Sequence, residues 1–181
     1  QSGNSDVLKR MNRGYTREWY MDRMAAIRRI MPNCAISTDI MTGFCGETDA
    51  EHEDTLSLMR EIRYEMAYMF KYSERPKTLA ERKYENDVPE ETKSKRLQEI
   101  MELQRENGTE RTWAMKGKTY RVLVEGTSKK RDDQFFGRNT HNAVVVFPKG
   151  DAKPGTYVNV QTLDCTPATL IGEITLEEAD A

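Results

Sequence analysis

Between Ser37 and Thr48 the chain reads STDIMTGFCGET, a short β-type run that passes through two glycines into the acidic start of a helix. Such a junction puts side chains at the carboxyl end of a strand, where α/β proteins gather ligand chemistry. Alternation sets Ser37, Asp39 and Met41 on one strand face and Ile36, Thr38 and Ile40 on the other. A carboxylate at Asp39, turned into a barrel lumen, needs a partner or a polar ligand, because an unpaired buried charge is costly. A salt bridge to a neighbouring strand is the structural alternative. Gly43 and Gly46 either let backbone approach a ligand closely or simply make the turn.

A second constellation lies near the C-terminal end: Lys129, Lys130 and Arg131, then Phe135 and Phe136, then Gly137, Arg138 and Asn139. Basic side chains neutralise phosphates, and an exposed ring or a guanidinium plane stacks on an unpaired base. One phenylalanine must be core, since neighbours on a strand face opposite ways. The charge balance favours RNA over a merely solvated loop. Residues 111–175 hold 10 Lys and Arg against 6 Asp and Glu, whereas residues 1–110 hold 18 against 21, and the tail from Leu176 adds Glu177, Glu178 and Asp180. A basic module on a mildly acidic body is the electrostatic footprint of nucleic acid.

Other chemistries find less support. Cys34, Cys45 and Cys165 fit neither a CxxC knuckle nor a cluster triplet, so free thiols are expected. An apolar fraction of 37% with 32% charged residues describes modest cores under large solvated faces. No apolar run approaches the ~20 residues that span a bilayer, which makes a membrane partner unexpected and the cytoplasm the expected location. The opening QSGNSDVL lacks an initiator methionine, and a longer parent protein is expected.

Periodicity predicts the elements that hold these residues. Thr16 caps a helix whose apolar residues run from Tyr20 to Met31 before Pro32 ends it; a strand follows from Ala35 to Met41. Thr48 or Asp49 caps a helix carrying Leu56, Met59 and Ile62, and a second strand covers Glu65 to Tyr72. This rhythm implies a parallel sheet with crossover helices, and two strands are too few for a complete one. A polar bridge, 73–87, leads to a helix opened by Pro89, Glu90 and Glu91, with Leu97, Ile100 and Met101 on one stripe and solvated charged faces elsewhere. From Thr119 the period becomes two. Tyr120, Val122 and Val124, then Ala143–Phe147, Tyr157–Val160 and Ala168–Ile174, punctuated by glycine and proline, form a small barrel of OB type.

Several motifs together resemble a known family. GKTYRVLVEGTSKK, FFGRNTHNAVVVF and GTYVNVQTLDCTPATLIGEI look like a TRAM domain, a small RNA-binding β-barrel appended to RNA-modifying enzymes. QSGNSDVLKRMNRGYT, STDIMTGFCGET and FKYSERPKT are similar to the C-terminal part of the radical-SAM core of tRNA methylthiotransferases. The resemblance implies an α/β partial (βα) barrel over residues 1–88, a connecting helix over 89–117 and an all-β, OB-like TRAM barrel over 118–176. It implies an enzyme that methylthiolates C2 of an isopentenylated adenosine next to the anticodon, using S-adenosylmethionine and two 4Fe–4S clusters. The cluster cysteines of the family are missing here, so this chain alone is expected to be inactive and to bind neither cofactor. Its expected partners are tRNA and the absent N-terminal part of the same polypeptide. A methylthiotransferase acting on a ribosomal protein and a non-catalytic RNA-binding module are the alternatives.

By the same resemblance, Arg13, Ser37, Asp39, Gly43, Gly46 and Glu47 shape the S-adenosylmethionine pocket. Gln1 and Ser2 end the preceding barrel strand on the substrate side, and Ser73 and Arg75 close the last one. Lys129, Lys130, Arg131, Phe135 and Arg138 contact RNA. Cys45 stands where the family usually has proline and Lys77 where RPGT has glycine, so altered loops are expected at both. Asn139 replaces a threonine and Ala143 a position that is often basic, which shifts RNA binding onto the remaining cations.

Overall fold

The computed structural model describes residues 1–180, and these divide into two compact units, residues 1–107 and residues 108 onward. The first unit opens with α1 (Ser5–Arg10) and α2 (Arg17–Ile30), followed by β1 (Ser37–Thr42), α3 (Asp49–Ile62), β2 (Met66–Lys71), α4 (Leu79–Lys83) and most of α5 (Glu90–Trp113). Strands β1 and β2 pair in parallel, from Ser37 opposite Met66 to Thr42 opposite Lys71, with α3 as the crossover.

Local signals set these boundaries. The Thr16 hydroxyl accepts from Trp19 N–H at the start of α2. Thr48 and Glu51 form a reciprocal capping box at α3, which satisfies two backbone donors that the helix cannot satisfy itself. Ile36, Ile40 and Ala67 then bury against Leu56, Met59, Ile62 and Ile100, while Val7, Phe44, Cys45 and Tyr72 form a smaller cluster.

Three expectations need correction here. Helix α4, capped by Thr78, lies within the bridge expected over 73–87, and α1 precedes the first expected helix, capped by Asn4, whose side chain accepts from Asp6 and Val7 N–H. Lys77 keeps a left-handed φ of 68°, so the loop holds the glycine-like backbone where an altered one was expected. Most consequential is α5. Its residues up to Asn107 group with the first unit, and Met101, expected on the apolar stripe, is 52% exposed. The positions it buries are Lys93, Arg96, Ile100, Gln104 and Asn107, one helix face, four of whose five members are polar. Gln104 donates to Tyr64 O at 3.0 Å and Asn107 to Met59 O at 3.2 Å, so α5 satisfies carbonyls at and beyond the end of α3.

In the second unit β3 (Thr119–Thr127), β4 (Gln134–Asn139), β5 (Val144–Pro148), β6 (Tyr157–Thr166) and β7 (Thr169–Thr175) close a barrel in the order β3-β4-β5-β7-β6. All pairs are antiparallel except β5 with β7. Alternate residues Tyr120, Val122, Val124, Phe135, Val145, Phe147, Val160 and Leu170 fill the interior, as the period-two pattern requires. Among the described residues no helix is long and apolar enough to cross a membrane.

Candidate functional site

The face of the two-stranded sheet opposite α3 is open. Ser37, Asp39 and Met41 of β1 stand beside Met66, Tyr68 and Phe70 of β2, and Tyr68 and Phe70 are 53% and 52% exposed. Asp39 is exposed on this face. Gln1 lies alongside, because Met41 N–H donates to its carbonyl at 2.9 Å, as a neighbouring strand would accept. The Gln1 nitrogen lies 3.5 Å from the Tyr15 hydroxyl, and Arg13 and Asp39 are both close enough to that nitrogen to act on it electrostatically. Burial raises the Tyr15 hydroxyl, against the pull of Arg13. Gln1, Arg13, Tyr15 and Asp39 thus share one electrostatic neighbourhood beside two exposed rings. A fixed cation, a carboxylate and an aromatic surface together suit a ligand that is both zwitterionic and aromatic.

The turn after β1 faces elsewhere. Gly43 and Gly46 have φ of 72° and 70°, which glycine adopts without steric cost. A Cβ at Gly43 would lie 2.4 Å from Lys93 Cγ, so α5 covers this turn. Glu47 is buried, and its Oε2 accepts from Gly43 N–H at 2.6 Å, the Thr42 hydroxyl at 3.3 Å and Arg96 Nη1 at 2.9 Å. Arg96 also donates to Glu47 O at 2.9 Å and to Asp49 Oδ1 at 2.7 Å, and it holds the Asp49 carboxyl below its ordinary range. His52 bridges the Thr42 hydroxyl at 3.2 Å and Glu99 at 2.9 Å. Gly43 and Glu47, expected around a cofactor, here pack against α5, and exposed Gly46 ties the turn to Asp87 at 2.7 Å. Arg96 and His52 carry no local signal for these contacts, since Glu47, Asp49 and Glu99 lie 47 to 49 residues from them in sequence. Ser2 is also buried, its hydroxyl 3.3 Å from that of Thr55, whereas Ser73 and Arg75 are exposed just beyond β2.

In the second unit Lys129, Lys130 and Arg131 lie exposed between β3 and β4. Arg131 forks onto Asp133 at 3.0 and 2.7 Å, so its charge is already partnered. Arg138 donates to Asn142 O at 3.0 Å and Asn142 Oδ1 at 3.2 Å, and its Nε lies 3.4 Å from Glu125. Phe135 is in the barrel core, with Lys149 Nζ 5.0 Å from its ring, so it does not offer the stacking surface expected of it. Asn139 is buried and accepts from His141 and Ala143 N–H, stapling the loop between β4 and β5.

Comparison with known proteins matches residues 1–59 to the radical SAM superfamily and residues 114–175 to the TRAM domain. The chain is 56% identical, over 96% of its length, to a tRNA-2-methylthio-N(6)-dimethylallyladenosine synthase of Amoebophilus asiaticus, of which it covers 36%. Proteins of the same name from Phocaeicola vulgatus and Porphyromonas gingivalis are 53% and 51% identical over 96% of the chain, which covers 38% of each. The chain thus spans little more than a third of the length of these relatives.

Proposed function

We propose that this chain, whose residues 1–59 belong to the radical SAM superfamily and whose residues 114–175 form a TRAM domain, works as part of a tRNA methylthiotransferase. One observation carries the reading: a sheet with an open, ligand-suited face and a closed RNA-type barrel lie in one chain, at 51–56% identity to proteins named for 2-methylthiolation of dimethylallyladenosine in tRNA. The proposed substrate is an N6-isopentenyladenosine beside the anticodon, and the cytoplasm is the proposed location. S-adenosylmethionine and 4Fe–4S clusters, two in the resembled enzymes, supply the radical and sulfur chemistry when bound.

The residues present fit one of these groups and not the other. Arg13 suits a carboxylate, Asp39 and Ser37 suit ammonium or hydroxyl groups, and Tyr68 offers a face to an aromatic base, which supports S-adenosylmethionine on the open sheet face. Cluster iron takes cysteine thiolates. Cys45 is buried, Cys34 belongs to the first unit and Cys165 to the second, and among the described residues no three His, Cys, Asp or Glu side chains gather as a metal requires. The clusters are accordingly proposed to sit outside this chain, and turnover to require the whole protein. The other named residues support substrate binding: Gln1, Ser73 and Arg75 near the sheet, and Lys129, Lys130, Arg131 and Arg138 on the barrel.

Nucleoside mass spectrometry of tRNA from cells with and without the whole gene tests the reaction. The 2-methylthio group should vanish on deletion and return with the gene; tRNA unchanged while a ribosomal protein loses a methylthio group would overturn it in favour of the ribosomal-protein enzyme. Fluorescence anisotropy tests the barrel. Neutralising Lys129, Lys130 and Arg131 together should weaken tRNA binding and flatten its log–log salt dependence, by about 0.7 to 0.9 for each phosphate no longer neutralised. Unchanged affinity and slope would make this loop a solvated surface.

A further inference from the structure

We propose that Tyr157 and Arg121, on the outer face of β3 and β6, form a stacking site for an unpaired RNA base, an inference that rests on the barrel's binding tRNA. The residues expected to stack are engaged elsewhere: Phe135 is core and Arg138 is tied to Asn142 and Glu125. Tyr120 and Phe147 are buried as well, whereas Tyr157 is 58% exposed. In the antiparallel ladder Leu123 stands opposite Tyr157 and Arg121 opposite Asn159, which makes Arg121 and Tyr157 diagonal neighbours on one face. The guanidinium carbon lies 4.3 Å from the centre of the tyrosine ring, so the cation sits over the ring face.

Arg121 also differs from the other arginines of the barrel. Arg131 and Arg138 each have a carboxylate partner, while Arg121 makes no hydrogen bond or ion pair among the described residues. Its donors are free to fork onto a phosphate, and its outer plane is free to receive a base. Contact with the ring has already restricted its rotamers, so ordering it on binding costs less entropy. Two neighbours on this surface bound the site. The Asn159 amide is held by Glu177 O at 2.9 Å, and Glu125 is engaged by Arg138. The pair itself selects the occupant: an exposed guanidinium with free donors beside an exposed ring suits a ligand that carries a phosphate and an unpaired base together.

The test is anisotropy titration of the full chain with tRNA and with a fully paired RNA of equal length, at several salt concentrations. Tyr157→Ala should weaken tRNA binding about 5- to 150-fold, the range for loss of one base stack, with an unchanged salt slope. Tyr157→Phe should bind like the wild type. Arg121→Lys should keep the slope and lose part of the affinity, because an ammonium retains charge and not the stacking plane. The paired RNA should bind wild type and Tyr157→Ala equally. If wild type binds tRNA and Tyr157→Ala binds it equally well at the same melting temperature, the pair is an ordinary cross-strand contact and the inference fails alone. Equal weakening on both RNAs also overturns it. A wild type that binds no tRNA would remove the RNA reading and this site together.

Discussion

Replacing Arg96 by methionine tests the polar face of α5 most directly. The Arg96 and Glu47 side chains are 6% and 0% exposed, and they meet at 2.9 Å. Methionine keeps the helix and much of the volume but leaves the Glu47 carboxylate buried, with only Gly43 N–H and the Thr42 hydroxyl as donors. Breaking a buried pair by removing one partner costs about 3–5 kcal/mol. Removal of the bond to Asp49 adds little, since that carboxylate is fully exposed. With a urea m-value of about 2 kcal/mol/M, a destabilisation of about 4 kcal/mol moves the midpoint of the first unit down by about 2 M. Urea titration in a Trp113→Phe background, followed by Trp19 emission, reads the first unit alone, because these are the two tryptophans of the chain. Glu47→Gln added to Arg96→Met should recover part of the stability, since a neutral amide needs no counter-charge and its oxygen still accepts from Gly43. A midpoint shift below about 0.5 M, or strictly additive effects in the double variant, would refute the claim that this pair holds α5 to the sheet.

Three further outcomes follow from the same geometry. Residues 1–75 should exchange amide hydrogens faster than residues 118–175, because a two-stranded sheet with an open face protects less than a closed barrel; equal protection would point to completion of the first sheet by another chain. Burial, and next the Cys45 thiol, pushes the Tyr72 hydroxyl up to about 12. Its neutral form is favoured when folded, so the associated stability is present below the ordinary tyrosine value near 10 and is lost as pH rises from 10 through 12. Urea midpoints should fall less over that window in Tyr72→Phe than in wild type, and identical falls would remove Tyr72 from the alkaline transition. Finally, Gly46→Ala should cost about 1–2 kcal/mol from its left-handed backbone alone, whereas Gly43→Ala should cost more because it also collides with Lys93; equal drops in melting temperature would show that α5 does not press on the turn.

Local chemistry is readable wherever the signal and its consequence lie within one turn or one strand. The box of Thr48 with Glu51, the stop at Pro32 and the alternation of Tyr120, Val122 and Val124 each need only neighbours to act. Helices of six and five residues, α1 and α4, are too short for periodicity to register, although Asn4 and Thr78 stand at their caps. The face of α5 escapes a sequence reading for another reason. Lys93, Arg96, Gln104 and Asn107 read as solvated because their partners, among them Glu47, Met59 O and Tyr64 O, lie far off in sequence. On the barrel, strand parity demands one buried phenylalanine, and only the register with its bulge between Val124 and Gly126 identifies Phe135 as that one. The basic loop is legible as a cluster; which of its cations are already paired is not.

Thr119 and Asp180 exchange two hydrogen bonds, Thr119 N–H to Asp180 Oδ2 at 2.7 Å and Asp180 N–H to Thr119 O at 2.9 Å. The backbone therefore enters the barrel and leaves it at nearly the same point. A module whose two ends touch can be spliced into a surface loop of an unrelated host without prying that loop apart, and its strands can be re-threaded by opening the 149–156 connection and bridging 180 to 119 with a few residues. Portability of this kind makes the barrel an interchangeable cassette, one that can lend its surface to many different hosts while its own hydrogen-bonded closure stays intact.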